Sequence, residues 1–160
     1  MADGGNGGRN GEDHLTVAID QLEGSWRGLT DALTGVPEER LGEAGAVGEW
    51  SVKDLMGHIA FWDEEALAAA ERHLAGEPPL ASRDWQAINE REAAARTGRV
   101  AGEQRAEMDR AHEAIIGLLR SRPPLDPEVV GLCGCGEDTT VRHYDEHAAE
   151  IRAWRERVGI

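Results

Sequence analysis

Four separate stretches of this chain repeat apolar residues at intervals of three and four, which commits it to long amphipathic helices rather than strands. The first carries Leu15, Ile19, Leu22, Trp26, Leu29 and Leu33 and stops at Gly35-Val36-Pro37. The second opens at Ser51, a capping residue with Asp54 three places on in the electropositive first turn. Its expected buried row is Val52, Leu55, Ile59, Trp62, Ala66 and Ala69, and Gly76 with Pro78-Pro79 ends it. The third runs from Val100 through Gln104, Met108, Ala111, Ile115 and Leu118 or Leu119 to Pro123-Pro124. A loop through Gly131 to Gly136 leads to the last, capped by Asp138 or Thr139, with Val141, Tyr144, Ala148, Ile151, Trp154 and Val158 on one face. Residues 83–97, with Trp85 and Ile88, predict a short helix inside the crossover between the second and third.

The 160 residues fit one all-α domain, which buries enough surface to fold without a disulfide or a structural metal. Residues 1–11 are too glycine-rich and polar to offset the entropy of ordering them, so they are expected to form a disordered tail before a domain over 12–160. Against 17 basic residues stand 31 acidic ones, a formal charge of −14 that argues against nucleic acid and anionic membrane as partners. No apolar leader or run of roughly 20 apolar residues is present, so a cytoplasmic protein is expected. Cys133 and Cys135 are too close together for an unstrained disulfide and read as free thiols in a loop, with a redox or auxiliary metal role as the alternative. Trp26 and Trp154, if not fully buried, are the residues through which a homodimer can form.

The chemistry concentrates in histidines. His143 and His147 stand four apart on the last helix and so share one side of it, a spacing able to hold one cation. Tyr144 follows His143 where a metalloprotease needs its general-base Glu, which disfavours a peptidase. His58 lies three residues after Leu55 and four before Trp62, facing the bundle interior, where an unpaired ring is costly. Either a hydrogen bond to a carbonyl or acidic neighbour, or a metal shared with His143 and His147, satisfies it. Three neutral imidazoles leave a fourth position open, as catalytic zinc-type sites do, and the ligand type also admits nickel, iron or manganese. A di-iron bundle is excluded, because Asp109 and His112 give only one Glu-x-x-His-like pair. Tyr144 is a candidate hydrogen-bond donor at the site or a packing residue. Asp54 reads as a first-turn dipole partner, and His112 as a structural or outer-sphere group. His14 and His73 read as solvent-facing, and the charges from Glu103 to Arg110 as a solvated face.

Gly48-Glu49-Trp50-Ser51-Val52-Lys53-Asp54-Leu55-Met56-Gly57-His58-Ile59, followed by Trp62, resembles the Trp-Ser-x-x-Asp-x-x-x-His signature of DinB-like proteins. His143-Tyr144-Asp145-Glu146-His147, followed by Ile151 and Trp154, resembles their last-helix signature. The resemblance implies an up-down-down-up four-helix bundle with one divalent metal, zinc or nickel, on His58, His143 and His147. It also implies thiol S-transferase or isomerase chemistry with mycothiol, bacillithiol or glutathione on a small electrophilic substrate, mycothiol fitting the Ala, Gly and Arg bias. A second branch, the ClbS-like proteins, is associated with protection from DNA-damaging metabolites. Asp84-Trp85-Gln86-Ala87-Ile88-Asn89, with Tyr144-x-x-His147, is compatible with resemblance to that branch too, which implies a binding or sequestering protein as the rival reading.

Overall fold

The computed structural model describes residues 7–79, 83–121, 126–133 and 140–160, with side chains from His14 onward. Among these residues the chain is mainly helical: α1 (Gly7–Leu33), α2 (Val52–Leu74), α3 (Trp85–Arg96), α4 (Ala101–Ser121), α5 (Pro127–Cys133) and α6 (Thr140–Val158). The four long helices and the short crossover helix fall where the apolar spacing places them. The described part of the expected tail, from Gly7 to Gly11, is instead the first turn of α1. The caps expected at Asp138 or Thr139, together with Cys135, lie outside the described residues.

Between α1 and α2 the sequence reading gave only a polar link. The structure has a 3-10 turn at Glu38–Arg40 and an antiparallel hairpin of β1 (Ala44–Val47) and β2 (Trp50–Ser51). Gly48, at φ 56, makes the tight turn between Val47 and Trp50 possible. A strand pair this short has too few alternating residues to register as a pattern. The expected loop at Gly131 is a second correction, since Gly131 to Cys133 complete α5. There Asp126 accepts from the Glu128 amide at 2.9 Å, and Pro127 occupies the first helical position, where a missing N–H costs nothing.

Ser51 caps α2 as its sequence suggests. Its hydroxyl takes the Asp54 N–H at 3.2 Å and the Asp54 carboxylate takes the Ser51 N–H at 2.9 Å. Gly76, at φ 70, ends the helix. Of the row expected to be buried on α2, Val52, Leu55 and Ile59 are in the core, while Trp62, Ala66 and Ala69 are only half-buried. They line a cavity instead, and Met56, Ala60, Asp63 and Ala70 take the core positions. Apolar spacing cannot distinguish a core wall from a cavity wall, because Trp62, Ala66 and Ala69 suit either, and the same cavity wall also takes Glu65 and Arg72 from α2.

The core is built on Leu22, Leu29, Leu55, Ile59, Met108, Ile115, Leu119, Ile151 and Trp154, each contributing about 1.5–3 kcal/mol of burial. Trp154 is 1% exposed, so it offers nothing to a partner surface. α1 lies against α6, and α2 against α4 and α6. Arg155 of α6 donates to the carbonyls of Ala32 (2.9 Å) and Thr34 (2.7 Å), satisfying acceptors that the end of α1 leaves open.

α2 and α4 approach closely at Gly57, where a Cβ would stand 2.6 Å from Gln104 Oε1. The Gln104 amide is itself held by Arg96 at 3.0 Å. Gly57→Ala is therefore expected to displace Gln104 and lower stability by about 1 kcal/mol, since the obstacle is a side-chain end and not backbone. A denaturant midpoint unchanged by the substitution would show that Gln104 moves aside freely.

Candidate metal centre

Helix geometry brings the three expected histidines together. His58, one position past the Gly57 contact, meets His143 and His147, which α6 stacks one turn apart. The Nε2 atom of His143 lies 2.9 Å from His58 Nε2 and 2.9 Å from His147 Nε2. One ligand atom from each residue falls within 4.8 Å of the others, forming a group able to hold a metal ion.

The donor set fits a tetrahedral ion with one open position. Two nitrogens at about 2.0–2.1 Å from zinc stand about 3.3 Å apart in that geometry, so the rings need to open by only a few tenths of an ångström. Burial, reinforced by the His147 ring, depresses the His58 pKa to about 3. Burial, with both neighbouring rings, also holds His143 well below its ordinary value. These two residues therefore present lone pairs at neutral pH, the form a cation requires. His147 Nδ1 lies 2.6 Å from a Glu150 carboxylate oxygen. A proton held on Nδ1 by that contact leaves Nε2 bare and fixes the ring plane. Glu150 is absent from the sequence reading, although an acid three residues after a histidine on a helix is a legible signal.

Trp50 and Trp62 present their rings to His58 at centroid distances of 5.0 and 6.3 Å and shield it on two sides. Beyond lies a cavity of about 820 Å³ whose walls include His58, Trp62, Trp85, Asn89 and His143. That volume is in the range of small-molecule sites.

Tyr144 does not turn toward the histidines. Its hydroxyl donates to Asp63 Oδ2 at 2.5 Å and lies 3.2 Å from His112 Nδ1, while His112 stacks on Trp26 with ring centroids 4.0 Å apart. This buried chain ties α1, α2, α4 and α6 together, with His112 in the structural place expected for it. Burial pushes the Asp63 carboxyl up to about 8, the Tyr144 hydrogen bond opposing the shift only in part. Asp63 Oδ1 has no partner among the described residues. Sequence reasoning missed Asp63, whose signal was an acid four residues after Ile59 and seven after Met56 on an apolar face. Of the other histidines, His14 is exposed and His73 lies 3.0 Å from Asp126. Cys133 is buried in α5. None of them joins the cluster. Among the described residues no helix is long and apolar enough to cross a membrane.

No curated protein matches the chain. An uncharacterised protein from Escherichia coli UTI89 shares the fold at TM-score 0.67 and 19% identity, over 91% of this chain and 93% of that one. The colibactin self-resistance protein ClbS, solved in complex with a dsDNA, shares it at TM-score 0.71 and 11% identity, over 89% and 95%. That complex corrects the exclusion of nucleic acid drawn from net charge. A formal charge sums over the whole surface, whereas a duplex meets only a patch of it, so the sum does not decide the matter. The DinB superfamily model matches residues 21–158, and the chain belongs to that superfamily.

Proposed function

We propose that the protein is a metal-dependent enzyme of the thiol S-transferase type, joining a low-molecular-weight thiol such as mycothiol to a small electrophilic metabolite. The observation that carries this reading is the convergence of three imidazole nitrogens at the wall of a cavity sized for a small molecule. His58, His143 and His147 would hold the ion, zinc or nickel, and Glu150 would orient His147. When bound, such an ion supplies Lewis acidity that lowers the pKa of a thiol presented to it. Trp50 and Trp62 exclude water beside His58, and the cavity wall positions the electrophile. A cytoplasmic setting, where small thiols are kept reduced, belongs to this reading.

The helix order up-down-down-up is part of the proposal. It is supported by Gly28 and Ala32 of α1 meeting Arg152 and Arg155 of α6 in the same sequence direction. His58 and Asp63 of α2 meet His147 and Tyr144 of α6 in the opposite one.

The test uses untagged protein, loaded with zinc or nickel, with 1-chloro-2,4-dinitrobenzene and mycothiol. The thiol sulfur forms the new S–C bond, chloride leaves with the bonding pair, and the thiol proton passes to buffer. The rate is expected to require thiol and metal and to fall at least 100-fold in His58→Ala. The likeness to a self-resistance protein favours one rival, protection by binding. Capture of the electrophile without consumption, or binding of a labelled 20-base-pair duplex unaffected by His58→Ala, would replace the enzyme reading with that one.

A further inference from the structure

We propose that the cavity takes a planar aromatic compound bearing a conjugated carbonyl, its ring against Trp62 and Trp85 and its oxygen accepting from the Asn89 side-chain amide. This rests on the small-molecule reading above and names the substrate class of the same cavity.

Trp62 of α2 and Trp85 at the start of α3 stand side by side in the cavity wall, ring centroids 5.1 Å apart and inclined at 58°. Trp85 is 56% exposed, an unusual setting for so large a side chain, and it is bulkier than the other exposed hydrophobic residues described, Val17, Val100 and Ile160. Its ring is nonetheless held in place. The Arg83 guanidinium lies over it at 5.7 Å and is ion-paired with Glu65. Two oriented indoles, one of them open to solvent, form a surface on which a flat ring buries area at little entropic cost.

Asn89, one helical turn after Trp85, supplies the polar contact. The Trp62 indole N–H can only donate, so the Asn89 atom 2.9 Å from it must be the amide oxygen. That bond fixes the amide and leaves both hydrogens on its nitrogen without a partner among the described residues. Asn89 lies in the cavity wall and is half-buried, so those donors are matched best by an acceptor on the occupant. The acceptor is a neutral oxygen rather than a carboxylate, because the three arginines in the wall are each ion-paired already, Arg72 with Glu77, Arg83 with Glu65 and Arg142 with Glu146. A conjugated carbonyl is also electrophilic at its β-carbon. A thiol sulfur forms a bond there as the π bond breaks, the thiol proton ends on the α-carbon, and the Asn89 donors meet the oxygen on which charge develops.

The experiment is calorimetric titration of the full chain, metal-free and zinc-loaded, with three probes: chromone, naphthalene as the planar ring without a carbonyl, and 1-decalone as the saturated ketone. Chromone is expected to bind at least ten-fold more tightly than either control. Asn89→Asp keeps an acceptor for the Trp62 N–H but removes the donors, and is expected to weaken chromone at least ten-fold while leaving naphthalene unchanged. Trp85→Ala, at an exposed position, is expected to weaken both aromatic probes. Equal affinity for all three probes, no binding of chromone, or chromone binding unaffected by Asn89→Asp would each overturn the proposal. Melting curves establish that the variants fold. Zinc content is read alongside: a wild-type chain that takes no zinc yet discriminates chromone through Asn89 sinks the metal reading and leaves this one standing.

Discussion

His58→Ala is expected to weaken zinc binding at least 100-fold, and with it to remove the thermal stabilisation that zinc confers on the wild-type chain. Zinc at roughly 100 times its dissociation constant stabilises a folded protein by about 2.7 kcal/mol if the unfolded chain does not bind it. For a chain of this length that corresponds to about 5–10 °C in melting temperature. The stabilisation depends on three nitrogens converging, because two imidazoles on one helix turn leave half of a tetrahedral shell to water. His143→Ala and His147→Ala should behave like His58→Ala. In metal-free protein these substitutions are expected to cost little, since each removes one of three lone pairs crowded at 2.9 Å contacts. Glu150→Gln separates orientation from ligation: the amide oxygen still accepts from His147 Nδ1 but without charge, so zinc affinity should fall about 10-fold to 100-fold and not be abolished. Titration calorimetry and melting with and without zinc read both effects. A zinc-induced shift of undiminished size in His58→Ala would remove His58 from the site, and wild-type affinity in Glu150→Gln would make its contact with His147 incidental.

The long helices and the three histidines were legible because each rests on periodicity. Val52, Leu55 and Ile59 declare one face of α2, and His58 falls beside that face by helical geometry alone. What the sequence hid depends on contacts between elements. Asp63 is recognisable as a buried carboxyl only once Tyr144, 81 positions away, is seen to donate to it. Asn89 matters because Trp62, on another helix, turns its amide. The hairpin of Ala44–Val47 with Trp50–Ser51 is too short to alternate, and α5 is a single capped element whose signal is the Asp126-Pro127 pair. The charge argument against nucleic acid failed for a related reason, since composition does not describe how charge is distributed over a surface.

Metal-free protein is expected to be most stable near pH 7 and to lose stability on both sides of it, through different residues. On the acid side, His58 is held down to about 3, His112 to about 4 by burial, and His143 well below its ordinary value. In the unfolded chain each titrates near 6.5, so below that pH the unfolded state binds more protons and stability falls as pH falls. Asp63 works in the opposite sense. Its folded value of about 8 stands far above an unfolded value of 3.8, so its contribution is complete below 3.8 and is lost as pH rises toward 8. One proton changes stability by about 1.4 kcal/mol per pH unit. Between 6.5 and 4.5 these histidines together outweigh the one carboxyl, so stability falls steadily toward acid. Above pH 7 the unfolded histidines hold few protons, so the Asp63 slope prevails, a loss of about 0.5–1 kcal/mol by pH 8. Asp63→Asn keeps an acceptor for the Tyr144 hydroxyl but cannot ionise, so urea midpoints measured after chelation should no longer fall between pH 7 and 8 while the acid limb stays steep. A wild-type profile that does not fall between pH 7 and 8 would mean that Asp63 ionises in the folded protein as it does in water, and that the buried chain from Asp63 to Trp26 is open to solvent.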